Sequence, residues 1–329
     1  MMGPPMTRRE LLLTASSALL PAACASGPQP SPEQAPSASA ADITVGITSN
    51  TRPDWSGGEN FLLSLDACAA LGYHWIETFY GYLEPWWDEP QKLVDLLAEK
   101  GLKMETVSNS GPLNMRFQDP AARDEVIADH LRLVDFIRAM GCDHLKINCG
   151  APNPGGNTEE IYREQAKTFD ELGKRISDKG LRFGIHAHLW SQFETPRDVE
   201  RILELTDPRH VWFVLDTGHV TMAGMDSLEL TRRYGPRIIE YHLKDVAPKD
   251  KGGYKGPPMA SGSVNNTADD RIFFELGEGG VDFPAILAHL NEIAWKGWFT
   301  VELDRTGSTA KQSAATSKKY IEEVLGLTV

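Results

Sequence analysis

The sequence predicts a (β/α)8 barrel (TIM barrel), and three observations lead there. Eight short apolar or β-branched runs recur after Asp42, stretches of helical periodicity separate them, and residues 42–329 have the length such a barrel needs. The runs are Ile43–Thr48, His74–Phe79, Leu102–Val107, His144–Asn148, Leu181–Leu189, Val211–Leu215, Ile238–Leu243 and Trp298–Leu303. Of the helical stretches, Pro120–Met140 carries a broad stripe of Val126, Ile127, Leu131, Leu133, Val134, Phe136 and Ile137, and Glu159–Lys179 is a second. Gly72, Gly101, Gly141, Gly180 and Gly297 each lie between a helical stretch and the next strand, where a helix C-cap is expected. An open, doubly wound sheet would show a Gly-rich turn after its first strand, and Ser49-Asn50-Thr51-Arg52-Pro53 is not one.

The segment before the first strand reads differently. Met1–Ala41 carries Arg8 and Arg9 against Glu10 and Glu33, so the net charge of −13 belongs to the rest of the chain. Thr7-Arg8-Arg9-Glu10 leads into the apolar stretch Leu11–Leu20, which is too short for a permanent membrane span, and then into Pro21-Ala22-Ala23-Cys24. Residues 1–24 therefore resemble a twin-arginine signal peptide, which implies export of a folded protein to the periplasm. Ala22-Ala23-Cys24 also resembles a lipoprotein cleavage box with a lipid anchor on Cys24. Pro21 stands where such boxes carry Leu, and Ala23-Cys24-Ala25 would serve ordinary cleavage, so both readings stay open. Residues 25–41 hold four prolines and little apolar bulk, and are expected to be a disordered linker to a single domain over 42–329.

Composition narrows the function. An acidic chain repels a polyanionic duplex, which argues against nucleic acid as a partner. Four cysteines without a CxxC pair make neither a disulfide scaffold nor a thiolate zinc site.

In a (β/α)8 barrel the reactive groups sit at the C-terminal ends of strands. Those ends carry Glu77, Lys146 with Asn148, His186 with His188, Asp216 with His219, His242 with Lys244, and Glu302. Buried charges are costly unless paired or bound to metal. His186, Asp216, His242 and Glu302, from four successive strands, suit one divalent cation such as Zn, Mn, Co or Mg. Each has a plainer reading: a strand histidine in the core, Asp216 as a helix cap, Glu302 paired with Lys146 or Lys244.

These residues also carry a family resemblance. Asp216-Thr217-Gly218-His219, His242-Leu243-Lys244-Asp245, the ELGEGGVDF segment over 275–283 and Val301-Glu302-Leu303-Asp304, in this order, resemble the sugar isomerase/epimerase superfamily of xylose isomerase-like and AP endonuclease 2-like barrels. The resemblance implies a divalent metal on the four residues named and substrates with a carbonyl beside a hydroxyl. Ketose epimerases of that superfamily have a glutamate on strand five, where this chain has His186 followed by His188. The H-x-H pattern is closer to the inosose dehydratase and keto-sugar lyase branch, which implies proton abstraction next to a carbonyl with β-elimination.

The expected roles follow. His188 and Glu302 are candidate bases, and Lys146, Lys244 and Glu77 are candidates for proton delivery or hydroxyl binding. His219 either reaches the substrate or orients a ligand. Asn109 and Asn148 are further hydroxyl-binding candidates. Tyr80, Tyr82, Trp86, Trp87 and Trp190 offer aromatic faces for sugar rings or packing between loop and helix. Residues 246–282 are long and Gly/Pro-rich enough for a lid. No Gly-rich phosphate cradle or Arg cluster is visible, so a neutral keto-sugar, inosose or 3-keto-glycoside is the expected small-molecule partner. A ketose epimerase is the alternative reaction. A DNA-repair hydrolase needs more strand-end histidines, and a non-catalytic carbohydrate-binding lipoprotein needs fewer ligands than this chain carries.

Overall fold

The computed structural model describes Met1, residues 40–253, Lys255 and residues 271–329. The signal peptide, the linker as far as residue 39, and residues 254 and 256–270 of the expected lid lie outside the described residues. Along the chain run β1 (Asp42–Thr48), α1 (Phe61–Leu71), β2 (Trp75–Phe79), α2 (Pro90–Glu99), β3 (Lys103–Ser108), α3 (Arg123–Ala139), β4 (His144–Asn148), α4 (Glu159–Asp178), β5 (Arg182–His186) and α5 (Pro196–Leu205). After them come β6 (Trp212–Asp216), α6 (Thr217–Met222), α7 (Ser227–Tyr234), β7 (Ile238–Leu243), β8 (Asp245–Val246), β9 (Phe273–Phe274), α8 (Phe283–Glu292), β10 (Lys296–Val301) and α9 (Ala310–Glu323). Among the described residues no helix is long and apolar enough to cross a membrane.

Eight parallel strands form one sheet in the order β3-β2-β1-β10-β7-β6-β5-β4, with a helix after each, which is the (β/α)8 barrel. First and last strands pair from Asp42 opposite Lys296 to Ile47 opposite Val301. Side chains close the seam between β3 and β4. Thr106 Oγ1 donates to His144 O at 2.9 Å, and Asn109 brackets Asn148, accepting from its N–H at 2.7 Å and donating to its carbonyl at 3.1 Å. Asn109 is thus committed to the backbone. β8 and β9 form a separate antiparallel ribbon.

Local sequence explains the element ends. Thr195 and Asp198 cap α5 reciprocally, as Thr309 and Gln312 cap α9. Gly72, Gly101, Gly141 and Gly180 take left-handed backbone just after helices. Gly297 does not: it lies inside β10, where a Cβ would stand 2.5 Å from Ile239 O, and Ala294 makes the left-handed turn instead (φ 49°). β5 ends at His186, shorter than its apolar run, because the chain leaves the sheet after Ala187 and turns at Leu189 and Trp190, which places His188 and Leu189 in the following loop. Ala41 N–H donates to Asn291 Oδ1 at 2.9 Å, which ties the last linker residue to the barrel.

Strand alternation sorts the interior. Ile76, Leu145, Ile147, Phe183, Ile185, Phe213, Leu215, Tyr241, Leu243 and Phe299 pack in the main apolar core. Their neighbours Glu77, Lys146, His186, Asp216, Glu240, His242 and Thr300 are buried as well, and interact with one another across the barrel. Branched apolar residues usually fill that space. Here it holds charge.

Candidate active site

Four strand ends build a single cluster. His186, Asp216, His242 and Glu302 each place one ligand atom within 4.8 Å of the others, and all four are buried. His186 ends β5, and its Nδ1–H donates to Asn148 Oδ1 at 2.8 Å, which leaves Nε2 as the lone-pair nitrogen. Burial holds that ring well below the usual imidazole range, hence neutral, with Lys146 adding to the effect. Asp216 ends β6 and serves both readings of it. Its Oδ1 accepts from His219 N–H at 2.8 Å as the cap of α6, while Oδ2 turns into the cluster. Burial pushes the Asp216 carboxyl up to about 6. His242 Nδ1 lies 2.5 Å from Glu302 Oε2 and 3.8 Å from Asp216 Oδ2.

Whether these residues fit a cation can be judged from their own atoms. Among the described residues His186 Nε2 is buried without a hydrogen-bond partner, and Asp216 Oδ2 has only the ion-pair contact of Lys244 at 3.1 Å, a costly arrangement for two facing acceptors that a cation between them would relieve. Two imidazoles and two carboxylates are an appropriate donor set for a divalent ion. The residues fit a metal.

Lysines balance the carboxylates. Lys244 Nζ lies 3.0 Å from Glu302 Oε2, 3.1 Å from Asp216 Oδ2 as an ion-pair contact, and 3.3 Å from Asp304 Oδ1. Burial alone would depress this lysine; Asp216, Asp304 and Glu302 override it and keep the ammonium charged. Lys146 Nζ sits 2.7 Å from Glu77 Oε1, and its burial is likewise overridden, by Glu77, Glu302 and Glu240. Glu77 reaches back to His242 Nε2 at 2.8 Å. The motif glycine Gly218 admits Lys244, whose side-chain carbons would lie within 2.9 Å of a Cβ there.

A cavity of about 190 Å³ opens beside the cluster, lined by Asn50, Arg52, Phe79, Tyr82, His188, Trp190 and Asp304. His188 Nδ1–H donates to Leu189 O at 2.5 Å, which leaves Nε2 unprotonated. Burial, with Lys244 nearby, lowers this imidazole to about 4. His219 lies behind it, with ring centroids 3.7 Å apart, and its Nε2 is 3.1 Å from Lys244 Nζ. Trp190 takes left-handed backbone (φ 61°), and its N–H donates to Glu194 Oε2 at 2.9 Å. Tyr82 and Trp190 line the cavity. Tyr80 and Trp87 instead stack on each other, and Trp86 packs on Phe61.

The remaining motif positions hold the frame. Asp245 accepts from the N–H groups of Val246, Gly277, Gly279 and Val281 at 2.9–3.0 Å, which clamps the ELGEGG loop to the end of β7. The sequence reading did not single out Glu105, His144, Glu240 and Thr300, which form a buried polar layer beneath the cluster. Their signal is spacing: His144, Glu240 and Thr300 each stand two residues before an inward strand-end group, Lys146, His242 or Glu302.

Comparison with known proteins agrees with this architecture. The family model described as xylose isomerase-like TIM barrel matches residues 65–324. Inosose dehydratase 1 of Bacillus cereus (strain ZK / E33L) is 24% identical over 297 residues, 86% of this chain and 96% of the relative. Among solved structures, the IOLI protein with a binding zinc atom superposes with a TM-score of 0.65 at 21% identity, covering 86% of this chain and 98% of that one. 3-Keto-D-glucoside 4-epimerase from E. coli, in its apo form, superposes with a TM-score of 0.64 at 12% identity over 86% of this chain and all of that chain (100%).

Proposed function

The chain belongs to the xylose isomerase-like TIM barrel family, and from that premise we propose that it is a divalent-metal-dependent carbohydrate lyase. Its reaction removes the proton next to a carbonyl of a non-phosphorylated keto-sugar, inosose or 3-keto-glycoside and expels a β-substituent. The observation that carries the reading is a cluster of two imidazoles and two carboxylates beside one neutral imidazole, His188, that faces a cavity lined by aromatic and polar groups. The inosose dehydratase relative supports the reaction class.

A divalent cation held by His186, Asp216, His242 and Glu302 supplies Lewis acidity for negative charge developing on a substrate oxygen. The chain's own groups do the rest. His188 Nε2 accepts the α-proton, and Lys244 is a fixed positive charge against the Asp216 and Glu302 carboxylates of the cluster. Tyr82 and Trp190 offer faces to the sugar ring. In a dehydration the proton taken by His188 can leave with the departing hydroxyl as water, so one imidazole suffices. An epimerisation needs a second group on the opposite face of the carbon, and strand five offers His186, already in the cluster, where a carboxylate would be required.

The test is metal-reconstituted protein in D₂O with an inosose and with a 3-keto-glucoside, followed by NMR. Loss of water or aglycone is the expected result. Deuterium next to the carbonyl with an intact, inverted skeleton would make the protein an epimerase, and no exchange at all would remove the reading. The paired Arg8-Arg9 and the Ala22-Ala23-Cys24 junction support export to the periplasm, with a lipid anchor on Cys24. Fractionation of cells with and without Cys24→Ser tests both.

A further inference from the structure

Below the four-residue cluster lies a second set of buried polar groups that binding and catalysis have not used. His242 touches both. Its Nδ1 faces Glu302 and Asp216, and its Nε2 lies 3.1 Å from Glu240 Oε1 and 2.8 Å from Glu77 Oε2. Glu240 is fully buried and is itself fixed: Oε2 accepts from His144 Nε2 at 3.0 Å, and Oε1 from Thr300 Oγ1 at 2.8 Å. His144 is anchored in turn, through Nδ1, by Asp143 Oδ1 at 2.6 Å. An unbroken run of contacts therefore connects half-exposed Asp143 at the foot of the barrel with Glu302 at its mouth.

We propose that Glu240 is a positioning residue, which holds the His242 ring through an Nε2–H···Oε1 hydrogen bond so that Nδ1 presents its lone pair to a divalent cation. The inference rests on the metal reading above. An imidazole can turn about its Cβ–Cγ bond and can carry its proton on either nitrogen, and a ring that does either presents no ligand atom. An acceptor held on the far nitrogen removes both freedoms, and loss of such a partner typically costs about 10–100-fold in metal affinity. Glu77 Oε2, at 2.8 Å, shares the Nε2 proton with Glu240, but Glu77 belongs to the cluster above, where Lys146 holds its other oxygen at 2.7 Å and stands 3.5 Å from Nε2 itself. Among the described residues Glu240 has no lysine or arginine ion pair, and its side-chain contacts are with His144, His242 and Thr300. Charge so deep in a barrel is expensive unless hydrogen-bonded throughout, and the Glu240 carboxylate is.

The experiment compares zinc affinity, by competition with a chromophoric chelator, in the wild-type chain, Glu240→Leu and Glu240→Gln. Glu240→Leu is expected to weaken zinc about 10–100-fold and to broaden the visible spectrum of the cobalt-substituted protein. Glu240→Gln, whose amide oxygen can still accept from Nε2–H, should recover most of the affinity. Wild-type affinity in Glu240→Leu, or equal loss in both variants, would overturn the proposal. Because Glu240→Leu can also fail to fold, ¹⁵N-edited spectra of the zinc-loaded wild-type protein give an independent reading. The His242 ring should show a protonated, exchange-protected Nε2 and a metal-bound Nδ1, and a proton on Nδ1 would overturn the proposal. Wild-type protein that takes up no zinc would overturn the metal reading itself, and this inference with it.

Discussion

His186 Nε2 and Asp216 Oδ2 face each other at 3.6 Å in the barrel mouth, both buried and, among the described residues, both without a hydrogen-bond partner. His186 spends its ring proton on Asn148, so the two facing atoms are both acceptors. Lys244 offsets part of their repulsion, and a divalent cation between them would offset the rest. Zinc at a hundredfold excess over its Kd should therefore raise the unfolding free energy by about 2.7 kcal/mol. Asp216→Asn should lose most of that gain yet still fold, since Asn caps a helix as well as Asp does. Urea unfolding of both proteins with and without zinc checks this, and equal stabilisation of the two would dissociate Asp216 from the ion.

His188 is separable from the ligand set. It lines the cavity and is not among the residues whose ligand atoms converge. His188→Gln should therefore slow α-proton exchange by about 10²–10⁴-fold, the usual worth of a general base, while zinc affinity stays within about twofold of wild type, well short of the loss expected when a ligand's own partner is removed. Exchange rates from NMR and chelator competition on the same preparation measure both. A parallel fall in zinc affinity would make His188 a ligand instead.

The barrel and the cluster were legible for one reason: polar residues that interrupt apolar runs at strand ends are conspicuous. The layer beneath was not, because Glu240 and Thr300 sit inside their runs and look like ordinary strand interruptions until the inward face is known. The spacing of Glu240 and His242 within Ile-Ile-Glu-Tyr-His-Leu held the information, but only an assigned register uses it. His186 and His188 read apart in the sequence, one as a ligand and one as a base. Although their i, i+2 spacing suits a shared strand face, the strand stops at His186, and the two stand in the cluster and the cavity wall respectively. Asn109 needed the seam: nothing local says that β3 and β4 meet without pairing, or that one side chain brackets the backbone of Asn148.

Gly46 and Glu105 fit each other with no room to spare. A Cβ on Gly46 would stand 2.0 Å from Glu105 Oε2, and Glu105 is held by Thr300 Oγ1 at 2.5 Å. Gly46→Ala should destabilise the barrel by about 1–3 kcal/mol through overpacking. Glu105→Ala alone also destabilises, by leaving a cavity. Together the two changes should cost less than their sum, because the second removes the atom the first strikes. A double-mutant cycle in urea measures the coupling, and strict additivity would mean that the contact relaxes without cost.

His130 should make the fold acid-sensitive. It packs on Phe117 behind the β3–β4 seam, where Nδ1–H donates to Val126 O at 2.8 Å and Nε2 lies 3.1 Å from Asn109 Nδ2, the side chain that closes the seam. Burial lowers this imidazole from 6.5 to about 4, so the folded state keeps it neutral where the unfolded chain protonates it. Between those two values the unfolded chain binds the extra proton. Its contribution to stability is therefore fully present above about pH 6.5 and is lost as pH falls toward 4, at up to about 1.4 kcal/mol per pH unit. Urea unfolding at steps from pH 7.5 to 4.5 should show this slope in the wild-type chain and a shallower one in His130→Gln, whose amide does not titrate. Protonation at the lower end would also turn Nε2 into a donor facing the Asn109 amide, so protection of the Asn148 N–H from hydrogen exchange should fall over the same range.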